Sequence, residues 1–453
     1  MTTTTDTRIV SFLNEGLGHT SYLVDLGDGT ALVIDPARVP DAQLTEAARR
    51  GLHIAYTADT HTHADYISGS PDLAIATGAE FLAPADAKLQ TPYRGVRGGD
   101  DIAVGSLTLR AVSTPGHTPD HLAYLLIEHD RPVALFSGGS LMVGSVGRTD
   151  LLGPDHADEL ARRLYQSLQA NVLTLPDDVA LYPTHGAGSF CSAPSGAERS
   201  STIGHERETN PLLNVADEDA FVRLLLDGLG TFPTYFSRLP GINQRGVAHY
   251  EGMPRLAALD ADAADKAITD GAVVVDVRPI SEYAAAHIPS SLSIELRGVF
   301  ASWLGWTVEP DATLVFVINP DQDADDLVRQ CLTIGFERFA GHLEGGMDAW
   351  TGSGRETTSI EIVDADSRRG TTLDIRQDNE FAAGHVPGAV HVELGALADS
   401  ALPDGPITTM CGHHERAMTG ASILERRGRT DLAVLFDGFG GWRDGGHPIE
   451  TSE

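Results

Sequence analysis

The C-terminal half of this chain repeats itself, and that limits its fold more than any other feature. A segment from Val273, VVVDVRPISEYAAAHIPSS, returns from Thr371 as TTLDIRQDNEFAAGHVPGA. Asp276 answers Asp374, Arg278 answers Arg376 and His287 answers His385, each pair 98 residues apart. Further along, GHLEGGMDAW around Gly346 answers FDGFGGWRDG around Gly441, 95 residues on. Two homologous domains of about 95 residues follow. In each copy an apolar run ends in Asp-x-Arg, and a helical stretch leads to a His-[Ile/Val]-Pro loop. A second apolar run (Leu314 to Ile318, or Ile407 to Met410) then precedes another helix. Such alternation predicts α/β domains with parallel sheets. The His-Pro loop reads as structural in both copies, because its proline and small neighbours shape a turn.

At 453 residues the chain has room for three domains. The first half is a different unit. It opens on SYLVDLGDGTALVIDP, two apolar runs around an Asp-Gly turn, which is a hairpin signal. The expected boundaries are 1–230 for this unit, 231–256 for an ordered linker rich in proline and aromatics, 257–355 for the first copy and 356–453 for the second. With 64 acidic and 32 basic side chains the net charge is -32, which opposes binding to nucleic acid or to anionic membranes. MTTTTDTRIV has neither a basic nor a long apolar stretch, and no apolar run approaches a spanning helix, so a cytoplasmic protein is expected. Three scattered cysteines, Cys191, Cys331 and Cys411, do not make a disulfide framework.

In the last copy the run ITTM leads into Cys411-Gly412-His413-His414-Glu415-Arg416-Ala417, after which a helical pattern begins. A cysteine between strand and helix faces free backbone N–H groups at the positive end of a helix dipole, which favours a thiolate or persulfide. This loop, with DIR…EF..GHVPGA before it and GFGGW after it, resembles the rhodanese family. The resemblance implies that Cys411 carries sulfane sulfur as a persulfide and that Arg416 helps close the loop. Gly412, His413, His414 and Glu415 would line the substrate entrance. Matching Ala324 to Ala417 puts Ile318 at the cysteine position and Asp323 at the arginine position, so the middle copy has no carrier thiol. Cys331 falls within the following helix and is expected in the core.

The first unit carries Thr60-His61-Thr62-His63-Ala64-Asp65-Tyr66, then His117 in STPGHTPDHLAYLL and His185 in YPTHGAGSFC. Histidines at i and i+2 on an extended segment project to one side, and Asp65 lies a further step along that face. Several histidines in loops after apolar runs suggest a metal site. The ordered set VIDP, THTHAD, TPGHTP, GRTD and THGAGS resembles the metallo-β-lactamase fold, in its persulfide dioxygenase and glyoxalase II-like branch. The whole layout resembles bacterial persulfide dioxygenase–sulfurtransferase fusions. The implied architecture is an αββα sandwich followed by two rhodanese-like α/β domains. The implied chemistry is oxidation of a low-molecular-weight persulfide, such as glutathione persulfide, by O₂ at one iron(II).

Two positions depart from that pattern. Tyr66 stands where the family has a second-metal histidine, and Gly139 in Ser137-Gly138-Gly139 stands where it has a ligand aspartate. His61, His63 and His117 remain to hold iron(II) or zinc, with His185 as a fourth candidate and Asp65 as the expected base. Cys191 follows His185 by six residues and is a candidate second sulfur relay. Three readings stay open: a persulfide dioxygenase-like sulfurtransferase, a mononuclear zinc hydrolase of a thioester or thiol adduct with an accessory rhodanese, and a metal-free scaffold beside a working rhodanese. The expected partners are a persulfide or thiosulfate and a thiol acceptor such as glutathione, and the family is compatible with a homo-dimer or tetramer.

Overall fold

The computed structural model describes residues 8–191 and 198–451. The first seven residues of the N-terminal reading therefore lie outside the described residues. The chain divides into two compact units, one running to Gly252 with Leu332–Gly335, the other comprising the remainder from Met253.

The first unit is a sandwich of two six-stranded mixed sheets. The hairpin expected at Asp28-Gly29 joins His19–Asp25 to Thr30–Ile34 in antiparallel register. Their sheet continues through His53–Ala58, Glu80–Pro84 and Arg94–Val96, all parallel. The second sheet is centred on Arg131–Gly138 and Leu122–Glu128. Tyr22, Val24, Leu32 and Ile34 of one sheet meet Leu109, Tyr124 and Phe136 of the other in the central core. Helices cover the outer faces. In Pro154–Ser167 the buried Ala157, Leu160, Ala161 and Leu164 recur at helical spacing, and Pro154 starts the helix where a missing N–H costs nothing. The leucines stabilise the layer by roughly 1.5–3 kcal/mol each. Within the expected linker Tyr235, Phe236 and Leu239 are buried, the short helix Leu239–Arg245 forms, and the residues up to Gly252 count with the first unit.

The repeat in the sequence becomes a repeat in space. In the first copy five parallel strands run in the order Ala258–Leu259, Phe339–Leu343, Leu314–Val317, Val273–Asp276, Leu292–Ser293. In the second copy the order is Glu361–Val363, Leu432–Leu435, Ile407–Met410, Thr371–Asp374, Val390–His391, again all parallel. The architecture is thus an αββα sandwich followed by two parallel-sheet α/β domains. The Asp-x-Arg motif is a buried clamp in both copies. Arg278 grips Asp276 at 2.7–3.2 Å and donates to Ala286 O, while Arg376 grips Asp374 and donates to Gly384 O. His287 and His385 bond the carbonyls of Tyr283 and Phe381 and stack on their rings. The last helices, Gly346–Gly352 and Gly438–Asp444, pair Gly346 with Gly438, so the repeat closes at 92 residues rather than the 95 read from the glycine-rich strings. No helix among the described residues is long and apolar enough to cross a membrane.

Candidate functional site

His61, His63, His117 and His185 sit in loops that follow the strands His53–Ala58, Leu107–Ser113 and Ala180–Pro183. Asp35, at the end of Thr30–Ile34, organises them. Its buried carboxylate accepts from Thr60 N at 2.7 Å, from Thr60 Oγ1 at 2.7 Å and from Thr184 Oγ1. Burial alone would raise its pKa, but the charge and hydrogen bond of His63 and these donors hold it below the usual carboxylate value. Thr60 in turn accepts from His61 Nδ1 at 2.9 Å. His117 Nδ1 donates to Arg148 O at 2.8 Å. His185 Nδ1 lies 3.4 Å from Asp65 Oδ2, close enough to steer the ring but short of a hydrogen bond.

With Nδ1 of His61 and His117 used as donors, their Nε2 lone pairs face inward. His61 Nε2 is 3.4 Å from His185 Nε2, and the buried His117 Nε2 has no hydrogen-bond partner. One ligand atom from each of His61, His117 and His185 lies within 4.8 Å of the other two. Burial, together with the neighbouring imidazoles, pushes all three down, His117 to about 4, so each is neutral and able to ligate.

His63 is placed differently. Its Nε2 is 3.2 Å from Asp35 Oδ1 and 3.0 Å from Tyr66 Oη, while Nδ1 has no partner. Burial disfavours its charged form, yet the Asp35 carboxylate raises its pKa above the ordinary value. With Asp65 and His185 it forms a second cluster of three. Asp65 is buried with both oxygens unpartnered, and burial raises it to about 6. The Cys191 thiol lies beside Asp65, and burial followed by that carboxylate pushes it well up.

At Gly139 the ring of His117 occupies the space a side chain would need, since a Cβ there would lie 2.2 Å from His117 Cδ2. The Gly139 N–H donates to His121 Nε2 at 2.9 Å. A two-histidine, one-carboxylate set therefore cannot be built at this position, whereas a three-imidazole set is present. Asp150 grips the buried Arg148 at 2.7 and 2.8 Å, which fixes the carbonyl that holds His117.

Three contributors escaped the sequence reading. Asp35 was visible only as part of VIDP, and His121 only as a second histidine after TPGHTP. Asn243, within the expected linker, donates to His63 O and Tyr66 O at 2.9 Å and accepts from Ser68 N, clamping the histidine loop from 180 residues away. No local signal marks it.

In the second copy Cys411 follows the strand Ile407–Met410 and precedes the helix Glu415–Arg426, with its thiol buried. Burial pushes that thiol up; the Arg416 charge and the Ala417 and His413 N–H groups pull it back, and burial prevails over the cradle. Arg416 is committed to Glu380 through two bonds of 2.7 and 2.8 Å. Gly412 O and Cys411 O accept from Gly440 N and Phe439 N, so the GFGGW segment closes the loop. His413 contributes its N–H to the thiol, and His414 Nδ1 lies 3.9 Å from Asp437 Oδ1. In the first copy Ile318 follows Leu314–Val317 as Cys411 follows Met410, and Cys331 is buried in the helix Ala324–Thr333.

Known proteins resemble both halves of the chain. The model for the metallo-beta-lactamase superfamily matches residues 14–185, and that for the rhodanese-like domain matches 260–353 and 360–444. The mitochondrial persulfide dioxygenase ETHE1 of Homo sapiens is 32% identical over 210 residues, 46% of this chain and 75% of that protein. A hydroxyacylglutathione hydrolase of Polaromonas sp. is 35% identical over 169 residues, 36% of this chain and 61% of that protein. A solved metallo-beta-lactamase structure from Staphylococcus aureus superposes with a TM-score of 0.65 at 29% identity, covering 74% of this chain and 98% of that one.

Proposed function

We propose, for a chain that belongs to the metallo-beta-lactamase superfamily alongside the persulfide dioxygenases and carries two rhodanese-like domains, that it is an enzyme of sulfane-sulfur metabolism with two working sites. The first acts on a low-molecular-weight persulfide, with glutathione persulfide the leading candidate. The second transfers sulfur through Cys411. The observation that carries this reading is the pairing, in one chain, of a neutral inward-facing imidazole cluster with a cysteine at a strand-to-helix cradle.

The orphaned His117 Nε2 and the converging His61 and His185 Nε2 atoms fit one divalent ion, iron(II) or zinc. When bound, that ion would supply Lewis-acid chemistry. His61, His117 and His185 would hold it. His63, turned toward Asp35 and Tyr66, would steady the loop and keep a proton on the pocket wall. Asp65, near 6, is poised as the base, and Cys191 beside it is the candidate relay thiol. At the second site the Cys411 thiolate attacks the sulfane sulfur of the donor, the donor's thiol leaves with the electron pair of the S–S bond, and Cys411 holds a persulfide for an acceptor such as glutathione. Arg416, His413, His414 and Glu415 shape that loop.

The missing carboxylate at Gly139 favours a second reading, a zinc hydrolase of a thioester or thiol adduct. Metal analysis of protein purified without added metal, with O₂ uptake on glutathione persulfide, decides between them. About one iron per chain with uptake supports oxidation. Zinc without uptake supports hydrolysis. Neither metal leaves a scaffold with only Cys411 at work.

A further inference from the structure

The helix that follows Cys411 is buried along Ala417–Leu424, eight residues in succession, which a helix on the face of one small sheet cannot achieve alone. The copy that has Ile318 at the carrier position covers its other side. The edge strand Leu292–Ser293 of that copy is capped by this helix: Ser293 N donates to Ser422 Oγ at 3.1 Å, and Thr419 Oγ1 donates to Ser293 O at 2.6 Å. His287 Nε2 meets Glu425 Oε2 at 3.1 Å further along.

The same copy reaches the mouth of the cysteine loop. Arg297 Nη1 lies 3.4 Å from Glu415 Oε1, both side chains partly exposed. Trp303, in the helix Phe300–Thr307, lies against the Arg416 guanidinium, 5.6 Å from ring centre to Cζ. Because Arg416 is committed to Glu380, it does not answer the charge of Glu415. We propose that Arg297, contributed by the copy with Ile318 at the carrier position, is a positioning residue of the Cys411 site: by pairing with Glu415 it cancels the negative charge at the loop mouth and admits an anionic sulfur donor.

The surrounding charges agree. Glu415 is held below the ordinary glutamate value: burial works against this, while helix N–H groups, Arg297 and His414 favour the carboxylate, so it is ionised. Its charge raises the Cys411 thiol, and Arg416 lowers it. Glu295 faces the same mouth; burial raises it first, Arg297 lowers it and Glu415 raises it again. His414 and Asp437 complete the groups there. With thiosulfate, the Cys411 thiolate bonds to the outer sulfur, the bond to the sulfonate breaks, and sulfite departs with the electron pair. Three negative charges meet and three remain, so an uncancelled carboxylate at the mouth opposes the whole encounter.

The proposal rests on Cys411 as carrier. In the full chain, thiocyanate formation from thiosulfate and cyanide should show a KM for thiosulfate about fivefold higher in Arg297→Ala, as expected for a half-exposed ion pair. Alkylation of Cys411 by iodoacetamide, read by peptide mass, should move to higher pH in the same variant. Arg297→Lys should keep most of both properties, and adding Glu415→Gln to Arg297→Ala should restore both. A wild-type KM and alkylation profile in Arg297→Ala, or a defect that persists in the double variant, overturns the role of Arg297. Activity surviving Cys411→Ser would instead defeat the carrier assignment.

Discussion

The two rhodanese-like copies share a sheet order, an Asp–Arg clamp and a stacked histidine, and differ at the loop between one strand and one helix. The shared parts are buried and satisfy backbone carbonyls, so they are what each copy needs to fold. In the second copy the helix starts at Glu415, four residues after Cys411; in the first it starts at Ala324, six after Ile318. The last helix also sits differently. A Cβ on Gly438 would meet His413 O at 2.0 Å and Cys411 O at 2.4 Å, whereas one on Gly346 would find Ile318 O only at 3.8 Å. The copy that carries Cys411 is drawn tight around its loop, and the other is slack there. What the copies share serves folding, and what they do not share is the loop to which the sulfur-transfer proposal assigns its chemistry.

The sharpest way to break the comparison is at the thiol. Cys411→Ser should cut thiosulfate:cyanide transfer by at least about a thousandfold. Placing Ile318→Cys in that background should restore nothing, because Asp321 and Asp323 lie in the longer loop where Arg416 has no counterpart. Recovery of transfer would mean that the loops are interchangeable.

A smaller effect is expected at the clamp, and it should be alike in both copies. Removing Asp276 or Asp374 by alanine strands a buried guanidinium, costing about 3–5 kcal/mol, readable as a lowered denaturant midpoint. If only Asp374 matters, the clamp belongs to catalysis rather than to folding.

The smallest effects distinguish the glycines. Gly346→Ala should cost about 1–2 kcal/mol from its left-handed backbone alone. Gly438→Ala adds a collision with backbone carbonyls that cannot yield, so it should destabilise further and reduce transfer. Equal losses would show that the tight closure over Cys411 is incidental.

A pH measurement sharpens the picture of the loop itself. Because burial raises the Cys411 thiol above its ordinary value of about 9, its alkylation should keep climbing above pH 9. A plateau near neutrality would show that the N–H cradle and Arg416 outweigh burial.

Much of this was legible in the chain. The repeat predicted two parallel sheets, and both appear with one strand order. Cys411 stood out between the apolar run ending at Met410 and the helical pattern that follows, and matching Ala324 to Ala417 located Ile318. The histidine loop was harder. Spacing of i and i+2 places side chains together only on a strand, and residues 60–65 form no strand, bending at 60–61 and again at 64–65, so His61 faces His185 while His63 faces Asp35. Contacts such as Asn243 with His63 O join distant segments by single hydrogen bonds, which leave no periodic trace.

The Asn243 contact has a practical consequence for anyone cutting this protein into parts. A fragment ending at residue 230 would keep every histidine of the cluster and lose the amide that pins the loop at His63, Tyr66 and Ser68. Extending the fragment to Gly252 keeps that pin, so the histidines would stay in register with the sheets that carry them.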